Sequence, residues 1–143
     1  MKNIIVLIGH GNYATGLKST IGLIVGPTED INYIDFLEED NSETLMEKAK
    51  KVVDENEENN VIFICDIIGG TPFNTAAKIS SENECVGVVG GCNVNAIIEI
   101  IMTKDSYELE ELLDELVDRT RKSVCKYQNI EISIQDTSCE DGI

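Results

Sequence analysis

Basic residues are scarce in this chain: 11 Lys and Arg stand against 27 Asp and Glu, for a formal net charge of −16. That balance excludes nucleic acid and anionic membrane as natural partners, because both would be repelled. It steers a basic protein toward the surface instead. Long apolar runs are missing, and no segment reaches the length of a membrane span. The apolar stretch Ile4–Ile8 is too short for a secretory signal, and no small-residue cleavage site follows it. The expected location is the cytoplasm. Histidine occurs once, at position 10, and the five cysteines (65, 85, 92, 125 and 139) show no Cys-x-x-Cys spacing. A metal site is therefore not expected, and the thiols are expected to be reduced and to act as small hydrophobes. Neither a Walker sequence nor Gly-x-Gly-x-x-Gly is present, which argues against a nucleotide cofactor. No cofactor is expected.

What is present is enough for one domain spanning 1–143, with 42% apolar residues and no linker or repeat. Strand and helix signals alternate. Ile4–Ile8 and Val61–Cys65 are apolar throughout, which suits strands buried on both faces. Ile31–Leu37 and Cys85–Val89 read as two more strands. Between them lie amphipathic stripes: Ala14, Leu17, Ile21 and Ile24; then Leu45, Ala49, Val52 and Val53. A short apolar helix is predicted from Val94, and a longer one carries Leu109, Leu112, Leu113 and Leu116. Gly26-Pro27 reads as a helix stop. Asp40 with Glu43, Thr71 with Pro72, and Asp105 with Glu108 are the predicted helix starts. Ile130–Ile134 alternates with period 2 and reads as a final edge strand, a pattern that also suits an antiparallel one, with 135–143 as a frayed tail. The repeated β-loop-α order predicts an α/β fold: a doubly wound, mainly parallel five-stranded sheet with helices on both faces.

In such sheets ligands bind beyond the carboxyl ends of the strands, where the strand order reverses. With the first and third strands adjacent, two loops meet there: Gly9-His10-Gly11-Asn12 and Asp66-Ile67-Ile68-Gly69-Gly70-Thr71-Pro72. An imidazole nitrogen is a competent nucleophile near neutral pH, and flanking glycines clear space around it. Asp66 could orient one ring nitrogen of His10, or it could simply cap the following turn; the residues alone leave both open. Gly69, Gly70 and Thr71 bring a flexible backbone, a helix start and a hydroxyl to the same place, as an anion cradle requires. Gly11 is included in this phosphoryl-binding set. Together these residues predict transfer of a phosphoryl group supplied by another protein.

The chain resembles the enzyme IIA component of the mannose family of the bacterial phosphoenolpyruvate:sugar phosphotransferase system (PTS). The shared signatures are Ile8-Gly9-His10-Gly11, Ile34-Asp35-Phe36, Asp66-x-x-Gly69-Gly70-Thr71-Pro72-Phe73-Asn74 and Gly90-Gly91-x-Asn93, spread over 4–134. The resemblance implies a phosphotransferase with a phosphohistidine intermediate. His10 would take a phosphoryl group from phospho-HPr and pass it to a IIB component, and the membrane IIC and IID components would be served indirectly. It also implies that Asp66 orients the histidine, that Thr71 lies near the phosphoryl group, and that the chain forms a homodimer by exchanging Ile130–Ile134. No fused IIB domain is expected. Ile67-Ile68 departs from the family pattern, where an aromatic often follows the acid. Two alternatives stand beside this reading: the phosphotransferase subunit of dihydroxyacetone kinase, and a non-catalytic, flavodoxin-like regulatory domain.

Overall fold

A computed structural model describes residues 1–129. The elements run β1 (Asn3–His10), α1 (Tyr13–Val25), β2 (Ile31–Phe36), α2 (Ser42–Asp54), β3 (Asn60–Cys65), α3 (Thr71–Glu82), β4 (Val86–Gly90), α4 (Val94–Ile101), a 3-10 turn (Lys104–Ser106) and α5 (Leu109–Ser123). Among the described residues the sheet has four strands in the order β2-β1-β3-β4, all parallel. The predicted fifth strand, Ile130–Ile134, and the tail 135–143 lie outside the described residues.

The central strands are apolar because both of their faces are covered. On one face Ile4, Val6 and Ile8 of β1 and Val61, Phe63 and Cys65 of β3 pack under α2 and α3, against Leu45, Ala49, Ala76 and Ile79. On the other, Ile5, Leu7, Ile62 and Ile64 meet α1, α4 and α5 through Ala14, Ile21, Ile97, Leu112 and Leu116. The period-2 alternation of a strand sorts its residues between these two cores. The chain steps from β1 outward to β2, then back across β1 to β3. Right-handed crossovers therefore place α1 on one face and α2 and α3 on the other, with the reversal between β1 and β3.

Three helix starts differ from the predicted ones. The cap of α2 is Asn41, whose side chain accepts from Glu43 and Thr44 N–H while Thr44 Oγ1 accepts from Asn41 N–H. Asp40 was the wrong residue for that role because its carboxylate is engaged by Leu37 N–H, Thr44 Oγ1 and Lys48 Nζ. The cap of α3 is Gly70, so Thr71 is already the first helical residue and Pro72 the second. Extended backbone at Gly70 starts the helix without a side-chain acceptor. Glu108, paired with Glu111, caps α5. Asp105 instead accepts from Asn3 N–H and Lys104 Nζ at the opposite end of the sheet from His10. Cys65, Cys85 and Cys92 carry free thiols, as expected for those three.

Candidate functional site

His10 is the last residue of β1, paired across the sheet with Phe36, the last of β2. Cys65 ends β3 beside Ile8, so Asp66 emerges next to His10 at the reversal point. The Asp66 Oδ2 atom accepts from His10 N–H at 2.9 Å and lies 2.7 Å from His10 Nδ1. One carboxylate oxygen thereby grips both the backbone and the ring of the same residue. Asp66 Oδ1 is buried without a hydrogen-bond partner among the described residues. Burial raises the pKa of Asp66, but the His10 N–H, the His10 ring and the Ile67 N–H outweigh it and hold the carboxyl below its usual value. An ionised Asp66 accepts only, so in the neutral ring Nδ1 is the nitrogen that carries the proton and Nε2 the one with the lone pair.

The ring leans on Phe36, with centroids 5.7 Å apart and planes 72° apart, an edge contact. Its side chain is 45% exposed, against 14% for Asp66. The imidazole is open to a partner while the carboxylate is shielded. Gly70 closes the third side: a Cβ there would stand 2.9 Å from His10 Cε1. Only a residue without a side chain lets the backbone come this near the imidazole.

The predicted residues His10, Asp66, Gly70 and Thr71 are therefore brought together at one sheet end, with Gly69 opening the turn before α3. Gly11 has a different place. Its N–H donates to the Phe36 carbonyl at 2.8 Å, so this amide is committed to holding the turn after β1. Two contributors escaped the reading by chemistry. Phe36 entered only through the family signature. Asp35 was in the same position, and it accepts from Thr15 N–H at 3.1 Å and from Thr15 Oγ1 at 2.5 Å. That carboxylate caps α1, whose own cap residue, Asn12, makes no side-chain cap bond. The signal was there in principle, since an acid at a strand end beside a helix start is a natural cap across a parallel pair.

Among the described residues no group of three or more His, Cys, Asp or Glu could hold a metal ion, and no helix is long and apolar enough to cross a membrane. A profile of the PTS fructose IIA component matches residues 4–117. The chain is 30% identical over 138 residues to the PTS fructose-specific EIIA component of Bacillus subtilis, a match covering 93% of this chain and 94% of that protein. It is 34% identical over 116 residues to the PTS mannose-specific EIIAB component of Escherichia coli K12, which covers 80% of this chain but 35% of that longer protein. In fold it matches the mannose/sorbose-specific IIA subunit from Enterococcus faecalis with a TM-score of 0.83 at 24% identity, over 93% of this chain and 100% of that one. Profile and full-length relative agree on one assignment: the chain belongs to the PTS fructose IIA components, the mannose-type enzyme IIA family.

Proposed function

We propose that His10 is the residue through which this chain carries its phosphoryl group, as a phosphohistidine intermediate. Family membership makes the chain a phosphocarrier of the sugar PTS and a phosphotransferase. The observation that carries the assignment to His10 is the 2.7 Å contact between Nδ1 and Asp66 Oδ2, which leaves Nε2 as the free nitrogen. In the proposed step the Nε2 lone pair forms a bond to phosphorus while the bond from phosphorus to the donor breaks. The electron pair of the broken bond leaves with the donor. The Nδ1 proton stays between ring and carboxylate, where Asp66 stabilises the positive charge that develops on the imidazole. Gly69, Gly70 and Thr71 offer backbone donors and a hydroxyl to the phosphoryl oxygens at the start of α3. Reversal of the same step passes the group on.

The donor is phospho-HPr and the acceptor a IIB component, with IIC and IID served through it. Exposed Ile67 and Ile68 lie just past Asp66, and exposed Glu38, Glu39 and Glu43 lie beyond β2 at the same end of the sheet. An apolar centre with an acidic rim favours a partner with a basic fringe. We further assign the chain to the cytoplasm and to a homodimer that exchanges Ile130–Ile134 between subunits. That segment lies outside the described residues.

Incubation with phosphoenolpyruvate, enzyme I and HPr tests the assignment. Mass spectrometry should find one acid-labile phosphate on the wild type and none on His10→Ala. Equal labelling of the variant rejects His10 as the carrier, and an unlabelled wild type favours a non-catalytic regulatory domain. Transfer to a dihydroxyacetone kinase subunit in place of a IIB component would favour that second route.

A further inference from the structure

We infer that Asn74 is a positioning residue for phosphoryl transfer, holding the Gly69–Gly70 peptide so that the Gly70 N–H is presented to the phosphoryl group on His10. The inference rests on the function proposed above. Asn74 stands in the first turn of α3, and its Nδ2 donates to the Gly69 carbonyl at 3.2 Å. Its backbone N–H donates to the Gly70 carbonyl at 2.9 Å. One residue thus engages both carbonyls of the glycine pair.

The orientation of the donors follows from peptide geometry. A trans peptide is planar, with its N–H on the edge opposite its C=O. Fixing the Gly69 carbonyl therefore fixes the Gly70 N–H, and fixing the Gly70 carbonyl fixes the Thr71 N–H. Neither of these N–H groups donates to a backbone acceptor among the described residues. Gly70 itself lies against the ring, since its Cβ position falls 2.9 Å from His10 Cε1, the carbon that joins Nδ1 to Nε2. Gly69 has φ +83°, in the left-handed region, where glycine carries no steric cost. A glycine free to adopt many conformations would let this peptide rotate, and the side-chain bond from Asn74 removes that freedom. Asparagine is a weak helix former, and its side chain here serves a carbonyl that precedes the helix. Preorganised donors act where charge sits during transfer, so their alignment acts on the chemical step more than on docking.

The test uses the full chain, 15N-labelled and phosphorylated through enzyme I and HPr. In the wild type the Gly70 amide proton should move downfield on phosphorylation. In Asn74→Ala that displacement should shrink, and kcat should fall roughly 10-fold with KM for phospho-HPr changed by less than about twofold. Asn74→Asp keeps the size but loses the donor, so it should lose at least as much, and it carries the test if the alanine variant does not fold. A wild-type Gly70 amide that ignores phosphorylation overturns the inference. So does wild-type kcat in either variant, or a loss confined to KM. A wild type that takes up no phosphate overturns the proposed function first, and this inference with it.

Discussion

At His10 a single carboxylate oxygen does two jobs, accepting from the backbone N–H and facing Nδ1 of the same residue. Removing it frees the ring to rotate and to exchange tautomers. Asp66→Ala should keep the fold by circular dichroism and slow transfer at least about 10-fold, with ring 15N shifts moving toward the Nε2–H form. Unchanged transfer rates would reduce Asp66 to a turn cap. Gly70 makes the opposite kind of contact, a close approach. In Gly70→Ala the new methyl meets His10 Cε1 at 2.9 Å and Ile67 Cδ1 at 3.2 Å, so ring or loop must shift. Transfer should fall roughly 10- to 100-fold while the urea midpoint barely moves, because a misplaced nucleophile costs rate rather than core packing. A variant with full activity would show that the loop yields without disturbing the ring. His10, Asp66 and the Gly69-Gly70-Thr71 run could be read as candidates because nucleophile, acid and helix start fall at strand ends. Phe36 and Asp35 could not, because an aromatic and an acid acquire such roles only through the neighbour that sheet register places beside them.

Elements were legible where periodicity is strong and less so at their boundaries. The apolar runs of β1 and β3 and the stripe of α5 announced themselves, and Leu112 and Leu116 are fully buried as that stripe requires. Caps were read one to three residues away because several acceptors compete around each helix start. Asp40 was plausible by type, yet Leu37 N–H and Lys48 hold it in the loop before α2. Asn41 is the true cap, with a reciprocal bond to Thr44. Asn41→Ala should therefore cost about 1 kcal/mol of unfolding free energy, measured by urea denaturation, whereas the change at Glu43 should cost less. Equal losses at both positions would contradict the cap assignment.

For the whole molecule, net charge sets how it meets partners and how it tolerates acid. With a formal charge of −16, association with a basic phosphocarrier should slow roughly 10-fold between low salt and about 0.5 M salt, while kcat at saturation stays level. A salt-independent association rate in stopped flow would exclude electrostatic steering. Asp40, Asp66 and Asp105 all have folded pKa values below the ordinary carboxylate value. Each binds fewer protons folded than unfolded in that range, so its contribution is complete above about pH 4 and is lost as pH falls through the folded values. The urea midpoint should drop as pH is lowered below about 4, and less steeply in Asp105→Asn. An unchanged slope in that variant would show that the Asn3–Lys104–Asp105 cluster does not couple to acid unfolding.

Some properties of this protein were settled by local chemistry written along the chain. The alternation of buried strands with amphipathic helices, the acidic surface and the lone histidine between glycines follow from residue type and spacing, which need no partner to be read. The meeting of His10 with Asp66, 56 positions apart, was decided by strand order, because β3 lies beside β1 only after the chain crosses back over it. The hold of Phe36 on the ring and of Asn74 on the Gly69 carbonyl likewise came from tertiary structure. Hydrogen bonds and ring contacts act over a few ångströms, and only folding brings such distances about.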